Sequence, residues 1–130
     1  MIQPRPIYTD GDKFDCFKLT EPYVYTLSNG KGLTIYAGFQ TDFASIPQAF
    51  WNIWPEQDKR YRVPAIVHDY LYMEQTIIVS RAFADMEFRR MLIMEGVDKF
   101  TAYLFWGVIR LFGNKNWTNY KNIKDEKTKL

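Results

Sequence analysis

Arg62-Val63-Pro64-Ala65-Ile66-Val67-His68-Asp69-Tyr70-Leu71-Tyr72-Met73-Glu74 is the stretch where the chain changes its hydrophobic period. Within it Ala65, Val67, Leu71 and Tyr72 follow one another at helical spacing. Pro64 falls in a first turn, where its missing N–H leaves no helical bond unmade. The spacing predicts a helix over 63–74. Downstream, Ser80 is placed to cap a second helix running to about Glu95, with Gly96 as its stop. Asp98 is placed to cap a third, ending near Phe112 before Gly113.

Upstream the pattern is that of strands. Residues 14–20 and 23–27 are aromatic and β-branched, Ser28-Asn29-Gly30-Lys31-Gly32 supplies a turn, and 33–36 can pair back. A hairpin within a small three-stranded antiparallel sheet is expected. Gly38, Pro47 and Pro55 punctuate a loop-rich connector over 38–61, with one helical turn expected at 49–54 and a wall of any site expected in this segment. Strands first and about three helices after them make an α+β fold.

A chain of 130 residues, 47% hydrophobic and 18% aromatic, can fill one core but not two. The expectation is one domain over 1–113 and a basic polar tail over 114–130, where five lysines stand against Asp125 and Glu126. A whole-chain charge of +2 gives no strong nucleic-acid signal. Cys16 has no internal partner for a disulfide, and the N-terminus lacks the apolar core of a secretory signal, which points to synthesis and residence in a reducing cytoplasm. The richest apolar run, 100–112, is interrupted by Arg110 and falls short of the ~20 residues that a spanning helix needs. Its helix is apolar on nearly every side, so part of that surface is expected to face a partner protein or a bilayer interface.

His68 is the single histidine, so acid–base chemistry near neutral pH centres there. On one helix, His68 and Tyr72 share a face, while Asp69 is turned about 100° from His68. A short connection makes the second helix antiparallel to the first and brings Asp85 near His68 or Tyr72, where a carboxylate would orient the imidazole. Asp85, on the face of Phe88 and Leu92, reads as an inward charge whose candidate partners are His68, Tyr72 and Arg81. The plain alternative is a satisfied structural network on facing helices. Ser45 with His68 and a carboxylate is a weaker nucleophile arrangement, and one histidine with one distant cysteine makes a poor zinc site.

Gly38-Phe39-Gln40-Thr41-Asp42-Phe43-Ala44-Ser45-Ile46-Pro47, His68-Asp69-Tyr70-Leu71-Tyr72, Arg81 with Ala84-Asp85 and Phe88, and the later Arg110-Leu111-Phe112-Gly113 with Trp117 together resemble a family of tailed-phage and prophage proteins of unknown function. That resemblance implies a phage protein made in the bacterial host cytoplasm and associated with the virion or its assembly. A narrower stretch, the His-Asp pair with Tyr72 and the helix bearing Ala84-Asp85 and Phe88, is similar to phospholipases A2 of the disulfide-poor viral kind. By that similarity His68 is a general base, Asp85 orients it with Tyr72 bonded to the same carboxylate, and Asp69 ligates calcium (Ca2+). The family's calcium loop is glycine-rich, whereas 41–61 holds no glycine. Asp42 is then the replacement carboxylate, or it accepts backbone hydrogen bonds at the turn into Ser45 and Pro47. Two functions follow: a metal-assisted ester hydrolase acting at a lipid interface, or a non-enzymatic phage structural or accessory protein held together by the same residues.

Overall fold

The computed structural model describes residues 5–10, 17–41, 47–51, 59–75 and 80–129. Two antiparallel pairs form the N-terminal half. Strand β1 (Tyr8–Asp10) lies beside β2 (Phe17–Leu19), with Tyr8 opposite Leu19 and Asp10 opposite Phe17. Strand β3 (Tyr23–Thr26) pairs with β4 (Gly32–Ile35). In that hairpin Tyr23, Tyr25, Leu33 and Ile35 point into the core and their neighbours point out, the two-residue alternation of a half-buried sheet. Its turn closes by Leu27 N–H donating to Lys31 O at 2.8 Å, and Gly30 takes a φ of +88° that a side chain would resist.

The hairpin is as expected, but the three-stranded sheet is replaced by two two-stranded ones. Strand β2 finds its partner in β1, a short segment between a proline and a glycine whose Ile7, Tyr8 and Thr9 are strand formers. On its other side β2 meets the chain after Gly38: Leu19 N–H donates to Phe39 O at 2.9 Å, and Thr41 both donates to Phe17 O and accepts the Phe17 N–H on its hydroxyl. Thr41 is therefore a buried clamp at the entrance to the connector. The one-turn helix α1 (Gln48–Trp51) overlaps the turn expected at 49–54; residues 52–54 of that expectation, like 14–16 of the first expected strand, lie outside the described residues.

Helix α2 (Arg62–Met73) is buried at every position from Val63 to Tyr72 and forms the centre of the domain. Helix α3 (Arg81–Met94) packs on it and begins where Ser80 Oγ accepts the Phe83 N–H at 3.2 Å. Gly96, at φ +96°, ends it in the left-handed conformation that glycine tolerates best. Helix α4 (Lys99–Phe112) packs on α3, capped by Asp98, whose carboxylate accepts from both the Thr101 N–H and its hydroxyl. Helix α5 (Asn114–Lys129) occupies the segment expected to be a solvated tail. Its first turns are anchored: Trp117 and Tyr120 pack against the core, and Gln75 Nε2 donates to Trp117 O at 2.8 Å.

Glu87 joins the two halves. Its carboxylate is fully buried, accepts from the Ser28 N–H and hydroxyl in the hairpin turn, and pairs with Arg90, which also reaches the Tyr25 hydroxyl. The sheets and helices thereby share one hydrophobic core. No helix among the described residues is long and apolar enough to cross a membrane.

Candidate functional site

The side of α2 that carries His68 and Tyr72 faces α3, and one turn of helix between the two residues brings their rings together, tilted by 42° with centroids 4.4 Å apart. Asp85 on α3 projects between them. Its Oδ1 lies 2.8 Å from His68 Nε2 and accepts the Tyr72 hydroxyl at 2.6 Å. Its Oδ2 accepts Arg110 Nη1 from α4 at 2.7 Å and stands 3.3 Å from Arg81 Nη1. Phe88 covers the imidazole at 5.1 Å, and Trp117 of α5 meets the Tyr72 ring edge-on at 5.3 Å. Three helices and the start of a fourth thus converge on one carboxylate.

Burial works against the charge of Asp85, but the hydrogen bond and charge of His68 and the bonds from Tyr72 and Arg110 outweigh it and hold the carboxyl below its usual range. Asp85 is therefore ionised and can only accept, which puts a proton on His68 Nε2 and leaves Nδ1 as the basic nitrogen of the neutral ring. Burial also disfavours a charged His68, yet the Asp69 and Asp85 carboxylates overcome it and raise its pKa above the ordinary value. The Tyr72 hydroxyl is pushed far up by burial and then by the Asp85 charge, so it stays a donor.

Asp69 is buried on the other side of the imidazole, its Oδ1 3.7 Å from Nδ1, beyond direct hydrogen-bond reach. Asp42, the expected second carboxylate, and Ser45 lie outside the described residues. Among the described residues no group of three or more histidine, cysteine or acidic side chains gathers to hold a metal. Calcium takes about six to eight oxygens, so Asp69 alone of the described carboxylates would be one part of such a site.

His68, Tyr72, Asp85 and Asp69 come together, with Arg81 as a further partner. Arg110 and Gly113 were not foreseen in this role. Arg81 also donates to the carbonyls of Ile109 and Arg110 at 3.0 Å each, tying the end of α4 to the cluster. Gly113 is needed there for space: a Cβ on it would stand 2.6 Å from the Tyr72 hydroxyl oxygen and 3.1 Å from Arg81 Nη1. A lone arginine in an otherwise apolar helix was the available signal for Arg110, since such a charge needs a buried acid.

No curated protein and no solved structure matches this chain. A family model does match, over residues 17–109, which include both sides of the His68–Asp85 contact and end one residue before Arg110. The chain belongs to the family described as protein of unknown function, DUF1353.

Proposed function

We propose that this is a phage-type small hydrolase that cleaves an ester of a lipid or another envelope component, with His68 as general base. The observation that carries the reading is the sharing of Asp85 Oδ1 by His68 Nε2 and the Tyr72 hydroxyl. A base must present one nitrogen in one tautomer, and this sharing assigns the proton to Nε2 and the lone pair to Nδ1. In the reaction Nδ1 takes a proton from water as the water oxygen attacks the ester carbonyl. The tetrahedral intermediate then collapses, and the departing alkoxide leaves with the proton that Nδ1 had taken. Tyr72 and Asp85 are positioning residues. Asp69 would hold a hard cation such as calcium, whose contribution when bound is to polarise the carbonyl.

One observation favours a second reading, a virion or accessory protein in which the cluster is structural: His68 is 2% exposed and Asp85 is saturated by four partners. The two readings part on fatty-acid release from mixed phospholipid vesicles, with calcium or with chelator, by the protein and by His68→Gln at matched folding. Calcium-dependent release that the variant loses is the expected result. No release under any condition, with the variant only less stable, sinks the hydrolase and leaves the structural role.

A further inference from the structure

We propose that the outward face of α4 is a docking surface for anionic phospholipid, which seats the protein on a bilayer with the α4 ridge inserted. The inward face is ordinary core: Ala102, Phe105, Val108 and Ile109 are buried. The outward face is apolar as well. Phe100 is 80% exposed and Leu111 78%, with Tyr103 and Leu104 between them also in solvent. Spacings of four, three and four residues line up Phe100, Leu104, Gly107 and Leu111 along one side of the helix. Phe100 and Leu111 are eleven residues apart, roughly 16 Å along the axis, so the feature is a ridge with two projecting ends.

Charge selects the occupant. From residue 98 to residue 130 the chain contains Lys99, Arg110, Lys115, Lys121, Lys124, Lys127 and Lys129 against Asp98, Asp125 and Glu126. Of these, Arg110 is neutralised by Asp85. Arg89, from α3, lies over the rings of Tyr103 and Trp106 at 4.4 and 4.8 Å, adding a cation beside the ridge. Asp98, the acid preceding the helix, accepts from Thr101 and keeps its charge, which offsets one of these cations. An apolar ridge on a segment of net positive charge matches a surface that is apolar within and negative at its headgroups. A second copy would bring like net charge against this one, and a fluid bilayer needs no groove to receive a convex ridge.

This inference stands on the α4 surface and is separable from the hydrolase reading, although α4 also delivers Arg110 to Asp85. The experiment is co-sedimentation with phosphatidylglycerol/phosphatidylethanolamine vesicles and with pure phosphatidylcholine vesicles, in chelator, at low and high salt. It compares the protein with Phe100→Ser/Leu111→Ser, Lys99→Glu/Lys115→Glu and His68→Gln. The expected result is partition onto anionic vesicles that weakens with salt, falls about tenfold or more in each double variant, and persists in His68→Gln. Absence of partition, equal partition onto phosphatidylcholine, or double variants that bind as well as the parent would each overturn it. So would a dimer in vesicle-free sedimentation that the serine double variant dissolves, because the ridge would then be a contact between copies. Absence of hydrolysis by the parent protein in calcium, with partition intact, would count against the catalytic reading alone.

Discussion

Asp85 keeps a full charge at zero exposure because every position around its carboxylate is occupied by a donor: His68, Tyr72, Arg81 and Arg110. That arrangement has a pH signature. The folded pKa of His68 is raised above the unfolded value of 6.5, so protonated His68 stabilises the fold fully below pH 6.5, and this is lost as pH rises through the folded pKa. The folded pKa of Asp85 is lowered below 3.8, so its contribution is complete above pH 3.8 and is lost as pH falls through the folded pKa. The stability contributed by the pair is therefore greatest between pH 3.8 and 6.5. Asp85→Asn, which leaves two arginines without their acid, costs about 3–5 kcal/mol in that window. Thermal melts of protein and variant across pH test this: the difference between them should shrink at both ends, and a difference flat from pH 3 to 9 contradicts the assignment. Hydrolysis needs the neutral ring and should rise over the same interval in which His68 loses its stabilising charge. The neighbours on one helix were legible, because the four-residue spacing of His68 and Tyr72 is a local fact, and so was the need of Asp85 for a partner. Arg110 was not, because its reach to Asp85 depends on how α4 lies on α3.

Element boundaries follow the same division between local and distant causes. Ser80 and Asp98 are caps whose chemistry is contained within three residues, and both helix starts could be read from them. The hairpin was equally legible, since Asn29-Gly30 offers its turn. Strand β1 was missed because it is only three residues long, although Ile7, Tyr8 and Thr9 are strand formers and its partner lies only seven to eleven residues on. Helix α5 was hidden because its polar sequence shows a core-facing side through little more than Trp117 and Tyr120. Gly113 was read as a helix stop, yet its φ of −77° is ordinary and its role is steric. A methyl group there would press on the Ile109 backbone carbonyl at 2.7 Å as well as on the Tyr72 hydroxyl, which Asp85 holds, and overpacking of this kind costs about 1–3 kcal/mol. Gly107 provides the contrast. It lies inside α4 with no atom within 4 Å of where a Cβ would stand, so Gly107→Ala should stabilise by about 0.5–1 kcal/mol. Denaturant unfolding of the two alanine variants should move their midpoints in opposite directions. Equal shifts would mean that both Tyr72 and the Ile109 carbonyl yield freely and the α4–α5 junction is not packed as tightly as these distances require.

Across the whole molecule, the question is where the folded unit ends. Charge and composition placed the boundary at Gly113, with a solvated tail beyond. The packing carries the core past it: α5 rests on α2 and α4, Trp117 closes over the Tyr72 ring, and Gln75 binds the Trp117 carbonyl. A chain stopped after Gly113 would uncover Tyr72 and, through it, the hydrogen bond that fixes one oxygen of Asp85. Losing a packed tryptophan and the surface beneath it removes on the order of 3 kcal/mol. For a domain of this size that corresponds to a fall of about 10 °C in Tm. Trp117→Ala in the full chain should reproduce most of the loss, because the tryptophan and not the lysine-rich remainder makes the contact. If the chain of 113 residues instead melts with the full one and Trp117→Ala is silent, α5 is dispensable and the boundary drawn from composition is the correct one. If both fall together, α5 is part of the domain, and the family match ending at 109 covers less than the folding unit.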